Sequence, residues 1–157
     1  AVFCSNLKRA QATARIISEN RAIEIVPCPE LGEIDYGVVE GKTFDEVSLE
    51  YPLLAKQIYG SDPKIRFPGG EGFEEFTQRI GRFPDTLTKY DDAQTVLVVS
   101  HGGSIRTLVC LLLGIDINEH WGQIRIDNAS LTVLENGKSG AIISLLNDTS
   151  HLKEILS

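Results

Sequence analysis

Thr95-Val96-Leu97-Val98-Val99-Ser100-His101-Gly102-Gly103 decides the fold. The β-branched run to Val99 predicts a strand buried on both faces, and such strands belong in parallel sheets. It ends on an imidazole and two glycines, and residues 104–113 beyond them have helical composition. In open α/β sheets, ligands sit outside the carboxyl ends of strands, beside helix N-termini. His101 therefore stands where such folds do chemistry. Gly102 and Gly103 let backbone N–H groups approach an anion.

Working outward, strands and helices alternate. Ala1-Val2-Phe3-Cys4-Ser5 reads as a buried strand, residues 7–19 as a helix, and residues 22–26 as a strand halted by Pro27-Cys28-Pro29. Residues 31–42 hold three glycines and three acids and read as a loop. Thr43 with Glu46 forms a capping box for a helix to Glu50, and Pro52 starts another to about Tyr59. Residues 61–72 read as a Pro/Gly-rich loop. Residues 73–90 are helical, with Pro84 bending that helix or splitting it in two. A small element follows at residues 117–121. Residues 130–135 and 141–146 read as a hairpin around Asn136-Gly137-Lys138-Ser139-Gly140. This order predicts one α/β domain over residues 1–157, a three-layer α/β/α sandwich with a mainly parallel sheet.

The chain has 157 residues, 42% hydrophobic and 24% charged, which suits a soluble globular domain. Its net charge of −7 argues against nucleic acid or an anionic membrane as partner. An anionic substrate would need positive charge concentrated locally. No stretch is long enough to span a bilayer, and no signal-peptide pattern is present. Cys4, Cys28 and Cys110 form no C-x-x-C pair, so a reduced, cytoplasmic setting is expected. Cys4 and Cys110 lie in apolar runs and read as core residues.

Several segments carry polar groups where chemistry is expected. Arg9 falls in the first turn of a helix, already the positive end of the dipole. It either pairs with a surface acid or grips an anion held against the helix, a task suited to its planar fork. Glu33, Asp35 and Glu40 crowd a glycine-rich loop. Crowded carboxylates separate their pKa values, and the raised one can serve as a general acid; the alternative is a solvated acidic loop. His101 has no ligand spacing with His120 or His151, so no metal is expected, and no cofactor. In Phe67-Pro68-Gly69-Gly70-Glu71-Gly72, Glu71 is a candidate for a substrate loop or a favourable acid at a helix entry.

In this order the segments resemble the histidine phosphatase superfamily, in its phosphoglycerate-mutase-like branch. Ser5-Asn6-Leu7-Lys8-Arg9-Ala10 with Thr13-Ala14 is similar to its S-x-L-x-R-A-x-x-T-A element. Leu31-Gly32-Glu33 with Tyr36-Gly37-Val38-Val39-Glu40-Gly41 is similar to its L-x-E…G-x-x-E-G element. Gly69-Gly70-Glu71 matches its G-G-E loop, and Val99-Ser100-His101-Gly102-Gly103 with Arg106 matches its V-S-H-G-G…R element. The resemblance implies that Arg9 binds the phosphoryl group and that Glu33 protonates the leaving oxygen. It implies that His101 and the backbone N–H of Gly102 hold the phosphoryl oxygens. Phosphoryl transfer needs little beyond such positioning and charge, plus a nucleophile.

That nucleophile is, in the family, a histidine in an Arg-His-Gly motif at the end of the first strand. No Arg-His-Gly occurs here. The resemblance thus implies that the chain lacks the family's first, central strand, with its nucleophile, and is inactive alone. The strand gap is expected to be filled by another segment, as in a homodimer exchanging strands. The function expected is hydrolysis of a small phosphomonoester through a phosphohistidine, and the short length and G-x-x-E-G element are most similar to α-ribazole phosphatases. A phosphoglycerate mutase and a non-catalytic phosphate-binding fragment are the alternatives. An α/β-hydrolase would need a G-x-S-x-G elbow, which is absent.

Overall fold

The computed structural model describes residues 1–60, 62–91, 94–137 and 140–152. In chain order the elements are β1 (Val2–Ser5), α1 (Lys8–Ile17), β2 (Ile25–Cys28), α2 (Phe44–Glu50), α3 (Pro52–Tyr59) and α4 (Phe73–Ile80). They continue with α5 (Pro84–Leu87), β3 (Leu97–Val99), α6 (Gly102–Leu113), α7 (Ile117–His120), β4 (Leu131–Gly137) and β5 (Gly140–Asp148). Short 3₁₀ turns lie at Pro29–Leu31, Gly37–Val39, Trp121–Gln123 and Ser150–Leu152. Strands alternating with helices give a mixed α/β fold with a parallel sheet flanked by helices, as the order of elements predicts.

The parallel sheet has the strand order β2-β1-β3, and β4 and β5 pair with each other as a separate antiparallel hairpin. Alternation along β1 separates two cores. Val2 and Cys4 pack with Ala10 and Ala14 of α1 and with Val99. Phe3 faces the other way, into a cluster that includes Leu31, Phe76, Ile80, Phe83 and Leu108. Its ring meets Phe83 edge-on with centroids 5.5 Å apart, a preferred aromatic geometry. Cys4 and Cys110 are fully buried, as their apolar surroundings predict.

Local signals hold. The Thr43–Glu46 capping box is formed in both directions, and prolines open α3 and α5. Pro84 splits the helical stretch after α4. Two strand readings need correction. Pro27 does not halt β2 but lies inside it, in register with Cys4. This is tolerated because β2 is an edge strand, where a missing N–H leaves no neighbour unpaired. β3 is shorter than its apolar run, and Leu97 and Val98 are only half-buried, so it is not covered on both faces. Of the hairpin turn, Lys138 and Ser139 lie outside the described residues. Among the described residues, no helix is long and apolar enough to cross a membrane.

Candidate active site

β1 and β3 are adjacent and parallel, so Ser5 and His101 emerge at the same edge of the sheet. His101 also caps α6 at its N-terminus. The residue is 8% exposed, and both ring nitrogens are engaged. Arg9 Nε donates to Nδ1 at 3.2 Å, and Nε2 lies 2.8 Å from Ser5 Oγ. A guanidinium N–H can only donate, so Nδ1 accepts and the imidazole proton resides on Nε2, facing the serine. Burial, followed by the charges of Arg9 and Arg79, pushes the His101 pKa down to about 4. The ring is therefore neutral near pH 7.

Arg9 lies in the first turn of α1, which contains no acid. Among the described residues it forms no ion pair, so the surface-acid alternative is not what the structure contains. Its side chain leans on His101 and is otherwise exposed. Two N-terminal dipoles and an uncompensated guanidinium thus converge on one edge of the sheet, an arrangement suited to an anion.

Glu33 reaches the same place from the loop after β2. One carboxylate oxygen accepts from the backbone N–H of Gly103 at 3.1 Å, and the other accepts from Ile34 N–H at 3.1 Å. Gly103 is needed for this contact, because a Cβ there would come 2.5 Å from Glu33 Oε1. The glycine N–H expected to approach an external anion is thus occupied by a carboxylate of the protein itself. Gly102, opening α6, retains an N–H that no helical carbonyl can satisfy.

The other two acids of that loop turn to local tasks. Asp35 accepts from Gly37 N–H at 2.8 Å and Glu40 from Tyr36 N–H at 3.2 Å. Glu71 forms a two-point pair with Arg79, Nε to Oε1 at 2.9 Å and Nη2 to Oε2 at 2.8 Å. Its loop is pressed against the Glu33 loop; a Cβ on Gly70 would lie 2.3 Å from the Asp35 carbonyl. Arg106 stacks on the Trp121 ring at 4.4 Å. A cleft of about 430 Å³ opens beside Glu33, bordered by Asn6, Leu7, Asp35, Glu71 and Arg79. It shares Glu33 with the edge that carries Arg9 and His101, whereas those two residues do not line it.

The structure therefore gathers Arg9, Glu33, His101 and Gly102 at one sheet edge and sets Glu71 on the wall of the adjoining cleft. Ser5 and Arg79 also belong to this constellation and were not singled out from sequence. Ser5 could have been found as the last residue of β1, opposite His101. Arg79 sits eight positions beyond Glu71, a spacing that carries no signal of its own. Among the described residues, no cluster of His, Cys, Asp and Glu could hold a metal ion.

The model of the histidine phosphatase superfamily (branch 1) matches residues 1–149. The chain belongs to that superfamily. It is 34% identical over 153 residues to phosphoserine phosphatase 1 of Hydrogenobacter thermophilus, covering 98% of this chain and 72% of that protein. It is 31% identical over 147 residues to the adenosylcobalamin/alpha-ribazole phosphatase of Escherichia coli, covering 93% and 71%. The alpha-ribazole phosphatase structure from Shigella flexneri superposes with a TM-score of 0.83 at 30% identity, over 94% of this chain and 72% of that one. Membership in the superfamily fits a site built around a guanidinium, an imidazole and a carboxylate at strand ends.

Proposed function

We propose that this chain carries the phosphate-binding and proton-transfer residues of a phosphomonoester hydrolase. The observation that carries the reading is the cluster at the ends of β1 and β3, where Arg9 is bonded to His101 and Glu33 to Gly103, two residues further on. In this reading the exposed edge of the Arg9 guanidinium binds the phosphoryl oxygens. His101 and the Gly102 N–H stabilise the charge that builds on them. A nucleophilic imidazole takes the phosphoryl group, the P–O ester bond breaks, and the carboxyl proton of Glu33 passes to the departing oxygen. Water then attacks the phosphorus, the P–N bond to the imidazole breaks, and Glu33 takes a proton from that water as phosphate leaves.

The leaving group would occupy the cleft beside Glu33. The names of the relatives point to α-ribazole 5′-phosphate, phosphoserine or another small phosphomonoester as substrate. These 157 residues contain no Arg-His-Gly. We infer that alone they form no phosphohistidine, and that a strand bearing Arg-His-Gly from outside these residues completes the site.

The test has two samples. The 157-residue chain, incubated with a labelled phosphodonor, is expected to yield no acid-labile, base-stable phosphoenzyme. The chain extended at its N-terminus by an Arg-His-Gly strand is expected to release phosphate from phosphoserine or α-ribazole 5′-phosphate. Absence of release from any small phosphomonoester by the extended chain would defeat the hydrolase reading. A phosphohistidine on the unextended chain would defeat the inference about the missing nucleophile.

A further inference from the structure

Glu33 stands on a segment with no sheet partner, residues 29–33, and a proton donor is useful only if it is held to within a fraction of an ångström. We propose that Arg79 is the positioning residue for Glu33, and that Glu71 serves by orienting Arg79. This rests on the reading of Glu33 as the group that protonates the leaving oxygen.

The guanidinium of Arg79, in the last turn of α4, is committed to this segment. Nη1 donates to the carbonyls of Glu30 at 2.9 Å, Gly32 at 2.9 Å and Pro29 at 3.3 Å. Nη2 donates to the carbonyl of Glu33 itself at 3.3 Å. The remaining edge is fixed by the two-point contact with Glu71, and both side chains are largely covered, at 19% and 16% exposed. The far side of the segment is held by the strand and helix that carry His101. Ser100 Oγ donates to Leu31 O and Ser104 Oγ to Gly32 O, each at 2.7 Å. Arg79 on one side and two serines on the other thus form a bracket. Glu33 is anchored twice within it, by its carbonyl to Arg79 and by its carboxylate to Gly103.

Lysine cannot reproduce this. A single ammonium group has no planar fork to span a carboxylate and four carbonyls together. If Arg79 is lost, the described donors to the carbonyls of Glu30 and Glu33 are lost with it, and the segment is tethered on one side alone.

The first measurement uses the 157-residue chain and needs no activity. The Gly103 amide proton is expected downfield of its position in Glu33→Gln, because a carboxylate accepts its bond in the parent. Arg79→Gln should remove at least about half of that difference, and Glu71→Gln a smaller part, while near-UV circular dichroism stays that of a folded chain. An unchanged Gly103 resonance in the folded variants overturns the proposal. Should Arg79→Gln fail to fold, Glu71→Gln and Arg79→Lys decide by the same criterion.

The second measurement uses the N-terminally extended, active form. Protonation matters most for poor leaving groups, so Arg79→Gln should lower kcat on an alkyl phosphate about ten-fold or more. On p-nitrophenyl phosphate it should lower kcat by less than about three-fold. Equal losses on both substrates would mean a loss of folded protein and would overturn the proposal. If the extended chain hydrolyses nothing, the hydrolase reading falls, while the Gly103 resonance still decides whether Arg79 holds Glu33.

Discussion

His101 is where the chemistry of single residues is most constrained. Its ring is buried, bonded at both nitrogens and pushed down to a pKa of about 4. An unfolded histidine titrates near pH 6.5, so between about pH 6.5 and 4 the unfolded chain holds the extra proton and the folded chain does not. The contribution of His101 to stability is therefore full above that window and falls as pH drops through it. Urea unfolding from pH 7 to 5 should show declining stability, and His101→Gln should flatten that part of the curve. Nuclear magnetic resonance should find the His101 ring neutral at pH 6 in the parent. The same ring should gain proton affinity when orthovanadate binds, because an anion offsets the field of Arg9. The place of the residue was legible in the sequence, since an apolar run followed by two glycines sets the imidazole at the end of a strand. Its low pKa was not, because that follows first from burial in the assembled fold and then from the charges of Arg9 and Arg79, which arrive from 92 and 22 positions away.

At the level of elements, what a few neighbouring residues decide could be read, and what distant residues decide could not. The Thr43–Glu46 capping box is local: Thr43 Oγ1 accepts from Glu46 N–H, and the Glu46 carboxylate accepts from Thr43 N–H at 2.7 Å. Thr43→Ala should cost about 1 kcal/mol in thermal or urea unfolding and leave vanadate affinity unchanged, since these contacts stay within α2. The Pro84 break and the Pro52 start are local in the same sense. Pro27 misleads because the answer depends on whether β2 has one neighbour or two, which only the assembled sheet determines. Glu33 could be picked out by its motif. Its true acceptor role toward Gly103 could not, because 70 positions separate the two and nothing between them marks the contact.

At the scale of the whole molecule, the Phe3 face of the sheet holds the larger of two cores. Phe83 is 1% exposed and packs edge-on against Phe3, two residues before Ser5. Phe83→Ala should destabilise the chain by about 3–5 kcal/mol in urea unfolding, with the slope of the transition unchanged. The strand order β2-β1-β3 has a further consequence, in time rather than in energy. β1 pairs with β3 in the register Val2↔Leu97, so every bond from His101 to Arg9 or Ser5 closes a loop of more than ninety residues. Such non-local closures come slowly. On a ribosome, the arginine and serine must wait for more than ninety further residues before they meet their histidine. The contacts among these three residues have no partial form until His101 has been added, and refolding followed by vanadate binding should lag behind the recovery of helix.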